Sequence, residues 1–336
     1  MSGIFFYISL LLMAMLTLRF VVVWVNYITQ PFLPPLKGNA SQPMVSILIP
    51  ARNEASNLQL LLSALKDEAY PNLEIIVCND NSTDATAEVL ELFRSQIPAL
   101  KWFNGKELPE GWVGKNYACY QLAQQALGHY LLFLDADVRI EGGVAQRAAD
   151  FMFRKKLSLL SLFPQQTMHT AGEQAVVPLM NWILLSMLPL IAVRIPWFSS
   201  LAAANGQFMM FRADDYKQFQ WHLKVKGNNV DDILIARLVK KMRLKMAVLV
   251  GNGDVFCRMY NSKKERNESF MIVKVLSATA IVLFSVTLIK KAKQVKRNKE
   301  QTNYLLRGNK TKRTKMIELF VLLSNYPLLI LWFLYI

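Results

Sequence analysis

Three short apolar runs, each ending abruptly in polar and charged residues, constrain this chain more than any other feature. Val45-Ser46-Ile47-Leu48-Ile49-Pro50 runs into Arg52-Asn53-Glu54, and Leu73-Glu74-Ile75-Ile76-Val77-Cys78 into Asn79-Asp80-Asn81-Ser82-Thr83-Asp84. Tyr130-Leu131-Leu132-Phe133-Leu134 runs into Asp135-Ala136-Asp137. Apolar runs of this length read as buried strands, and the first is expected to stop at its proline, which cannot donate to a sheet ladder. Leu58, Leu61, Leu62 and Leu65 recur at helical spacing behind the capping residues of Asn53-Glu54-Ala55-Ser56. Asp84 and its neighbours suit the cap of a second helix over residues 85–93. Strand, helix, strand, helix predicts a βαβ unit and a parallel sheet. Ligands in open α/β sheets bind beyond the carboxyl ends of the strands, so the three polar clusters predict a single site.

The chemistry of that site starts with Asp135 and Asp137. Two carboxylates after a buried strand repel each other and lose hydration, which a divalent cation between them relieves. Hard oxygen ligands suit Mg²⁺ or Mn²⁺, ions that keep several waters and also bind substrate phosphates. The plain alternative is that Asp137 caps a helix. Lys115, in Gly114-Lys115-Asn116, is a candidate positive charge for the same phosphates, although most lysines are simply solvated surface. Asp231-Asp232 precedes the helical pattern Ile233, Leu234, Ala236, Leu238, Val239; one acid can serve as N-cap and the other as a general base toward an acceptor hydroxyl.

The rest of the composition points to a membrane. Of 336 residues 53% are hydrophobic, and the mean hydropathy is +0.22. The apolar excess lies at the two ends. Residues 4–28 form a nearly unbroken apolar stretch, long enough for a hydrocarbon core of about 30 Å. No Lys or Arg precedes it and no small-x-small cleavage site follows, so it reads as an uncleaved anchor rather than a signal peptide. Arg19 is the one flaw, costing up to about 3 kcal/mol at mid-membrane and less if it snorkels. Residues 271–289 and 316–336 are further apolar segments. Residues 176–193 are apolar but interrupted by Pro178, Asn181 and Pro189, which favours a core or interfacial helix over a span.

The net charge of +15 invites a nucleic-acid reading, but its distribution argues against one. Residues 290–315 carry eleven Lys and Arg against Glu300 alone. A basic loop flanked by apolar segments fits the positive-inside rule and anionic headgroups, and no nucleic-acid module is recognisable. Cys78, Cys119 and Cys257 have no metal-ligand spacing and read as buried free thiols. His129, His169 and His222 are too scattered for a zinc site or a catalytic triad.

Taken together, the motifs resemble those of family 2 glycosyltransferases with the GT-A nucleotide-diphospho-sugar fold. Ser46-Ile47-Leu48-Ile49-Pro50-Ala51-Arg52-Asn53-Glu54, the 79–84 turn, Asp135-Ala136-Asp137 and Asp231-Asp232 appear in the family's order, over residues 44–260. The resemblance implies an α/β domain, its mixed and mostly parallel sheet lying between helices, with membrane helices at both termini. It further implies that Pro50, Arg52, Glu54, Asp80, Lys115 and Asp135 bind the donor nucleotide and its diphosphate. Asp135 and Asp137 would hold the metal, and Asp232 would be the base for inverting transfer, with Asp231 in support. The usual turn motif is Asp-Asp-Gly-Ser; here Asn79 replaces the first Asp and Asn81 the Gly, and asparagine tolerates the left-handed conformation.

The chain is more specifically similar to the carotenoid- and hopanoid-associated branch. The marks are Leu108-Pro109-Glu110-Gly111-Trp112-Val113-Gly114-Lys115, Ala118-Cys119, Ala204-Asn205-Gly206-Gln207-Phe208 and Cys257-Arg258-Met259-Tyr260. By that similarity Asn205, Gly206 and Arg258 support the active site, a salt bridge being the alternative role for Arg258. The Gln-x-x-Arg-Trp motif of processive synthases is lacking, which argues for transfer of a single sugar.

The organisation expected is an anchor over residues 1–30, a linker over 31–43, a catalytic domain over 44–265 and a membrane-associated region over 271–336. Nucleotide-sugars are cytosolic, so the catalytic domain is expected on the cytoplasmic side of the cell membrane. The basic loop follows it there only if residues 271–289 do not fully span and residues 316–336 do. The donor favoured is a UDP-sugar, and the acceptor a carotenoid-, hopanoid- or other isoprenoid-like lipid. The competing readings are transfer to a polyprenyl phosphate or cell-envelope glycan, and a catalytically silent nucleotide-binding membrane scaffold.

Overall fold

The computed structural model describes residues 2–36, 42–68, 70–168, 171–196 and 201–257. Arg258, the apolar segments 271–289 and 316–336 and the basic loop 290–315 lie outside the described residues. The chain divides into two units, Met1–Val21 with Ser262–Ile336, and Val22–Asn261. What is described of the first is the start of helix α1 (Ser2–Thr29). Its side chains Leu10, Leu11, Met13, Leu18 and Phe20 are exposed, and among the described residues it is the one helix long and apolar enough to cross a bilayer.

The second unit is an α/β domain. Along the chain come β1 (Val45–Ala51), α2 (Ala55–Lys66), β2 (Leu73–Asn79), α3 (Thr86–Arg94), β3 (Leu100–Asn104), α4 (Gly114–Gln125), β4 (Tyr130–Leu134), β5 (Val138–Ile140) and α5 (Val144–Lys155). Then follow β6 (Leu159–Phe163), β7 (Gln165–Gln166), α6 (Ala171–Met187), α7 (Leu190–Val193), β8 (Phe208–Arg212), α8 (Ala213–Phe219), α9 (Trp221–Lys224), α10 (Asp231–Lys241), β9 (Met246–Val250) and β10 (Val255–Cys257). The main sheet has the order β3-β2-β1-β4-β8-β6-β9, and β5-β10-β7 form a small second sheet.

The unbroken apolar character of the strands follows from burial on both faces. Ile47, Ile49, Ile75, Val77, Leu132 and Leu134 enter the core beneath α2, α3 and α5. Their neighbours Leu48, Ile76, Leu131 and Phe133 enter a second core with Ala118, Leu122 and Ile235 of α4 and α10. Leu58, Leu61, Leu62 and Leu65 are the buried face of α2, as their spacing requires.

Pro50 does not end its strand. The Val45 N–H donates to Asn72 O and Ala51 O accepts from the Asp80 N–H, so odd-numbered residues of β1 point at β2. Pro50 points the other way, beyond Leu48, the last residue paired with β4, where no donor is needed. Asn53 and Asn81 both take the left-handed backbone their turns demand, at φ 57° and 53°.

β8 runs antiparallel between β4 and β6, pairing Phe208 with Leu134, so residues 205–207 are delivered to the carboxyl end of β4. In the small sheet, Cys257 pairs with Val138, one residue past Asp137.

The last turns of α1 belong to this domain. Asn26 is buried, and its Nδ2 donates to Leu185 O and Leu188 O, at 2.8 and 2.9 Å. Its Oδ1 accepts from the Leu190 N–H at 2.8 Å. One amide thus satisfies carbonyls at the end of α6 and the first N–H of α7, groups that helix termini leave unpaired. Pro31 O accepts from the Val250 N–H and Leu33 is buried in the core, so the chain leaving α1 stays packed against the domain. Asn26→Leu is expected to destabilise the domain by about 2 kcal/mol. Thermal unfolding of the detergent-solubilised full chain checks this, and an unchanged midpoint would count against the joint.

Candidate active site

A cleft of about 390 Å³ opens at the carboxyl ends of β1, β2 and β4. Pro50, Arg52, Glu54, Asp80, Lys115, Asp135 and Asp137 line it together with Gly114, so every residue expected at the donor and metal site is in one place. Local chemistry holds these loops in shape. Asn53 Oδ1 accepts from the Thr83 N–H at 2.8 Å, and the Asn53 N–H donates to Ser82 Oγ at 2.9 Å. Asp84 accepts from the Ala55 N–H and the Thr86 N–H, tying the starts of α2 and α3 together. The bond from the Thr86 hydroxyl, with these N–H donors, holds the Asp84 carboxyl below its ordinary range. Asn79 is spent on structure, since its Nδ2 donates to Asn104 and its Oδ1 accepts from the Ser82 N–H.

The floor of the cleft is electrostatically loaded. Lys115, the second residue of α4, reaches both carboxylate oxygens of Asp135 at 2.7 Å. Burial raises the Asp135 carboxyl above the usual range; Lys115 pulls against this, and Asp137 and Asp231 add to it. Burial by itself would lower the Lys115 ammonium, but Asp135 and its neighbours hold it above the ordinary lysine value. Arg52 stands 3.9 Å from Asp80 and is largely exposed, a weak pair that leaves the guanidinium available to a ligand.

Asp137 Oδ1 is buried without a hydrogen-bond partner among the described residues, while Oδ2 accepts from the Cys257 thiol at 3.4 Å. An orphaned carboxylate oxygen beside a second carboxylate suits a hard divalent cation. Among the described residues no group of three or more His, Cys, Asp or Glu side chains gathers around a metal position. An ion held by this pair would take its other ligands from water and from a bound diphosphate, as Mg²⁺ and Mn²⁺ commonly do.

Residues 205–207 link the two halves of the site. The Asp135 N–H donates to Gln207 O at 3.1 Å, and the Gln207 N–H to Asn205 Oδ1 at 2.8 Å. The Gly206 N–H donates to Asp232 Oδ2 at 3.1 Å, while Asp232 Oδ1 accepts from the Ile233 N–H at 2.7 Å. A Cβ built on Gly206 would stand 3.7 Å from Asp232 Oδ2 and 3.9 Å from Lys115 Nζ, so carboxylate and ammonium both approach the place a side chain would take. Asp231 is near enough to feel Lys115; burial raises its carboxyl, Lys115 opposes that, and Asp232 reinforces it. α4 and the loop before α10 are joined by Asn116, whose Nδ2 donates to Val225 O and Asn228 O.

Gln207 and Cys257 stand in the branch motifs, but nothing in the sequence pairs them with each other or with Asp137. Gln207 Nε2 donates to Cys257 Sγ at 2.8 Å, and Cys257 in turn holds Asp137. Burial, with Asp137 adding to it, pushes the Cys257 thiol up to about 12, so it is a proton donor at neutral pH. All three cysteines are buried free thiols, but only the pairing of β5 with β10 reveals what Cys257 touches.

The family model described as "Glycosyl transferase family 2" matches residues 46–218. Among curated proteins, the chain is 27% identical over 236 residues to the 4,4'-diaponeurosporenoate glycosyltransferase of Staphylococcus haemolyticus, covering 67% of this chain and 59% of that one. It is 26% identical over 233 residues to the enzyme of the same name in Staphylococcus aureus strain USA300, covering 66% and 58%. The chain therefore spans about three-fifths of the length of these relatives. Among solved structures, the fold is shared with mannosyltransferase PcManGT from Pyrobaculum calidifontis in complex with GDP-Man and Mn²⁺, at 17% identity, TM-score 0.51 and coverage of 72% and 68%. A strand-end cleft lined by the expected carboxylates and a family match over half of the chain lead to one conclusion: this protein belongs to glycosyl transferase family 2.

Proposed function

We propose that this protein is an inverting glycosyltransferase that moves one sugar from a nucleotide-diphospho-sugar, a UDP-sugar being favoured, to a lipid dissolved in the membrane. The observation that carries the reading is the meeting of the two halves of the site at Gly206, where Lys115, bound to Asp135, and Asp232 both come within 4 Å of the place a Cβ would take. The relatives named for diaponeurosporenoate, a carotenoid acid, support an isoprenoid-like acceptor. The apolar helix α1 supports residence in the cell membrane, with the catalytic domain on the cytoplasmic side where nucleotide-sugars are.

Pro50, Arg52, Glu54 and Asp80 line the part of the cleft assigned to the nucleoside. Lys115 and the N-terminus of α4 offer positive charge and free N–H groups to the diphosphate. Asp135 and Asp137 would hold Mg²⁺ or Mn²⁺, and the chemistry that such an ion supplies is neutralisation of charge on the leaving nucleotide. Support for that assignment comes from the orphaned Asp137 oxygen and from the Mn²⁺ that accompanies GDP-Man in the mannosyltransferase complex. Asp232, oriented by the Gly206 and Ile233 N–H groups, takes the proton of an acceptor hydroxyl as that oxygen attacks the anomeric carbon. Asp231 supports it from the first position of α10.

Membranes containing the full chain, incubated with a panel of labelled nucleotide-sugars, are expected to yield a lipid bearing one sugar by mass spectrometry. A polymer, or labelling confined to polyprenyl phosphate, would overturn the reading. Asp137→Asn is expected to lower transfer by at least about 10²-fold without loss of the folded state, read by activity and circular dichroism together. Asp232→Asn is expected to cost about 10²- to 10⁴-fold with a hydroxyl acceptor. With a carboxylic acid acceptor, already ionised at neutral pH, the same variant is expected to lose far less.

The pH profile has a definite sign. Asp135 serves as a ligand only when ionised, and its carboxyl is raised, so activity is lost as pH falls through a value above that of an ordinary carboxylate. Lys115→Met removes the cation that favours the ionised form. The acid limb of kcat/KM for the donor is then expected to move to higher pH, a shift that titration of initial rates detects.

A further inference from the structure

The segment α6–α7 has an unusual surface. From residue 171 to residue 193 the sole charged side chain is Glu173, and Glu173 is buried. Among its described side chains Trp182 is exposed at 41%, Met187 at 59% and Ile191 at 41%, and Gln174 is the exposed polar one. Exposed Leu60 and Leu92 elsewhere on the domain stand singly, on helices whose other exposed positions are polar or charged. A run whose one charged side chain is buried and which exposes a tryptophan, a methionine and an isoleucine is not a surface that water stabilises. At 17 residues and with Pro178 inside it, α6 is also short for a span.

The position of this face says what covers it. Asn26, in the last turns of the apolar helix α1, is hydrogen-bonded to Leu185, Leu188 and Leu190 at the joint of α6 and α7. On the inner side, Leu190 and Val193 are buried in the core that also contains Met246 and Val248 of β9. The segment is thus fixed between the end of α1 and the sheet, with Trp182, Met187 and Ile191 left exposed. Downstream, Lys240 Nζ holds Leu201 O at 2.8 Å, just before Ala204-Asn205-Gly206-Gln207 enters the active site.

We infer that the exposed face of α6–α7, carrying Trp182, Met187 and Ile191, lies in the headgroup–acyl boundary of the lipid bilayer that α1 enters. The inference rests on α1 being a membrane anchor, as in the function proposed above. An apolar element too short to span, held on its inner side by a soluble domain and carrying a tryptophan at its surface, lies in the interface plane rather than across it. It sets the catalytic domain against the bilayer by a second contact, and the same stretch of chain leads to Gly206 and Asp232. A lipid acceptor would therefore meet the acid pair without leaving the membrane surface.

The test uses the full-length protein in vesicles of phosphatidylcholine and phosphatidylglycerol, with an environment-sensitive fluorophore on single introduced cysteines. Met187→Cys and Ile191→Cys probe the face, Leu92→Cys marks the aqueous side of the domain, and Leu18→Cys reports on α1. The native thiols Cys78, Cys119 and Cys257 are buried. At positions 187 and 191 the emission is expected to shift to the blue and to be quenched several-fold more by lipid-borne nitroxide than by aqueous iodide, the reverse of position 92. If 187 and 191 behave like 92, or are shielded from both quenchers as a second copy of the chain would shield them, the inference is overturned. Lipid quenching at 18 with aqueous behaviour at 187 and 191 would sink the inference and leave the anchor standing. Aqueous behaviour at 18 would remove the anchor whatever the other two report.

Discussion

The antiparallel pairing of β8 with β4 is the constraint on which the site depends. Four parallel strands alone place three polar loops at one edge of the sheet, enough for a nucleotide cleft. Because β8 enters beside β4 in the opposite sense, Phe208 faces Leu134 and the preceding turn is held against Asp135. That turn carries the Gly206 N–H to Asp232. A parallel strand in this position would begin at the opposite end of β4 and leave the acid pair without this link to the donor cleft.

The electrostatics depend on that geometry. Asp135, Asp137, Asp231 and Asp232 are gathered near Lys115, which contacts both oxygens of Asp135, while Arg139 stands near enough to Asp137 to feel its charge. Burial is what chiefly raises the carboxyls of Asp135 and Asp231, and their acidic neighbours add to it against the pull of Lys115. Proteins keep like charges partly buried where a ligand relieves them. Asp137 Oδ1, buried and without a hydrogen-bond partner among the described residues, is the same feature at the level of one atom.

The supports of the site are mostly uncharged. Asn53, Asn79, Asn116, Asn205 and Gln207 spend their amides on backbone and side-chain groups of neighbouring loops. A buried amide donates and accepts at once, so it ties two segments together without adding to the charge already present. Asn26 does this where α1 meets the domain, joining two helix ends through a single side chain.

Much of this was legible in the sequence, for a physical reason. The strands β1, β2 and β4 are apolar on both faces and end in polar residues, and the leucine spacing of α2 marks its buried side, so each element is specified by its own residues. Asp135, Asp137, Lys115 and Asp80 were identifiable because they follow those strands at short range or stand in recognisable motifs. The antiparallel insertion of β8, the continuation of β1 through Pro50, the Gln207–Cys257–Asp137 contact and the grip of Asn26 on α6 and α7 were not. Each joins residues far apart in the chain, and local periodicity carries no record of which strand will lie beside which. The sequence by itself determined the elements and the chemistry at their ends. Only the tertiary structure decided that Lys115, which holds Asp135, and Asp232 meet beside one glycine, because that meeting is made by sheet pairing and close packing between distant segments.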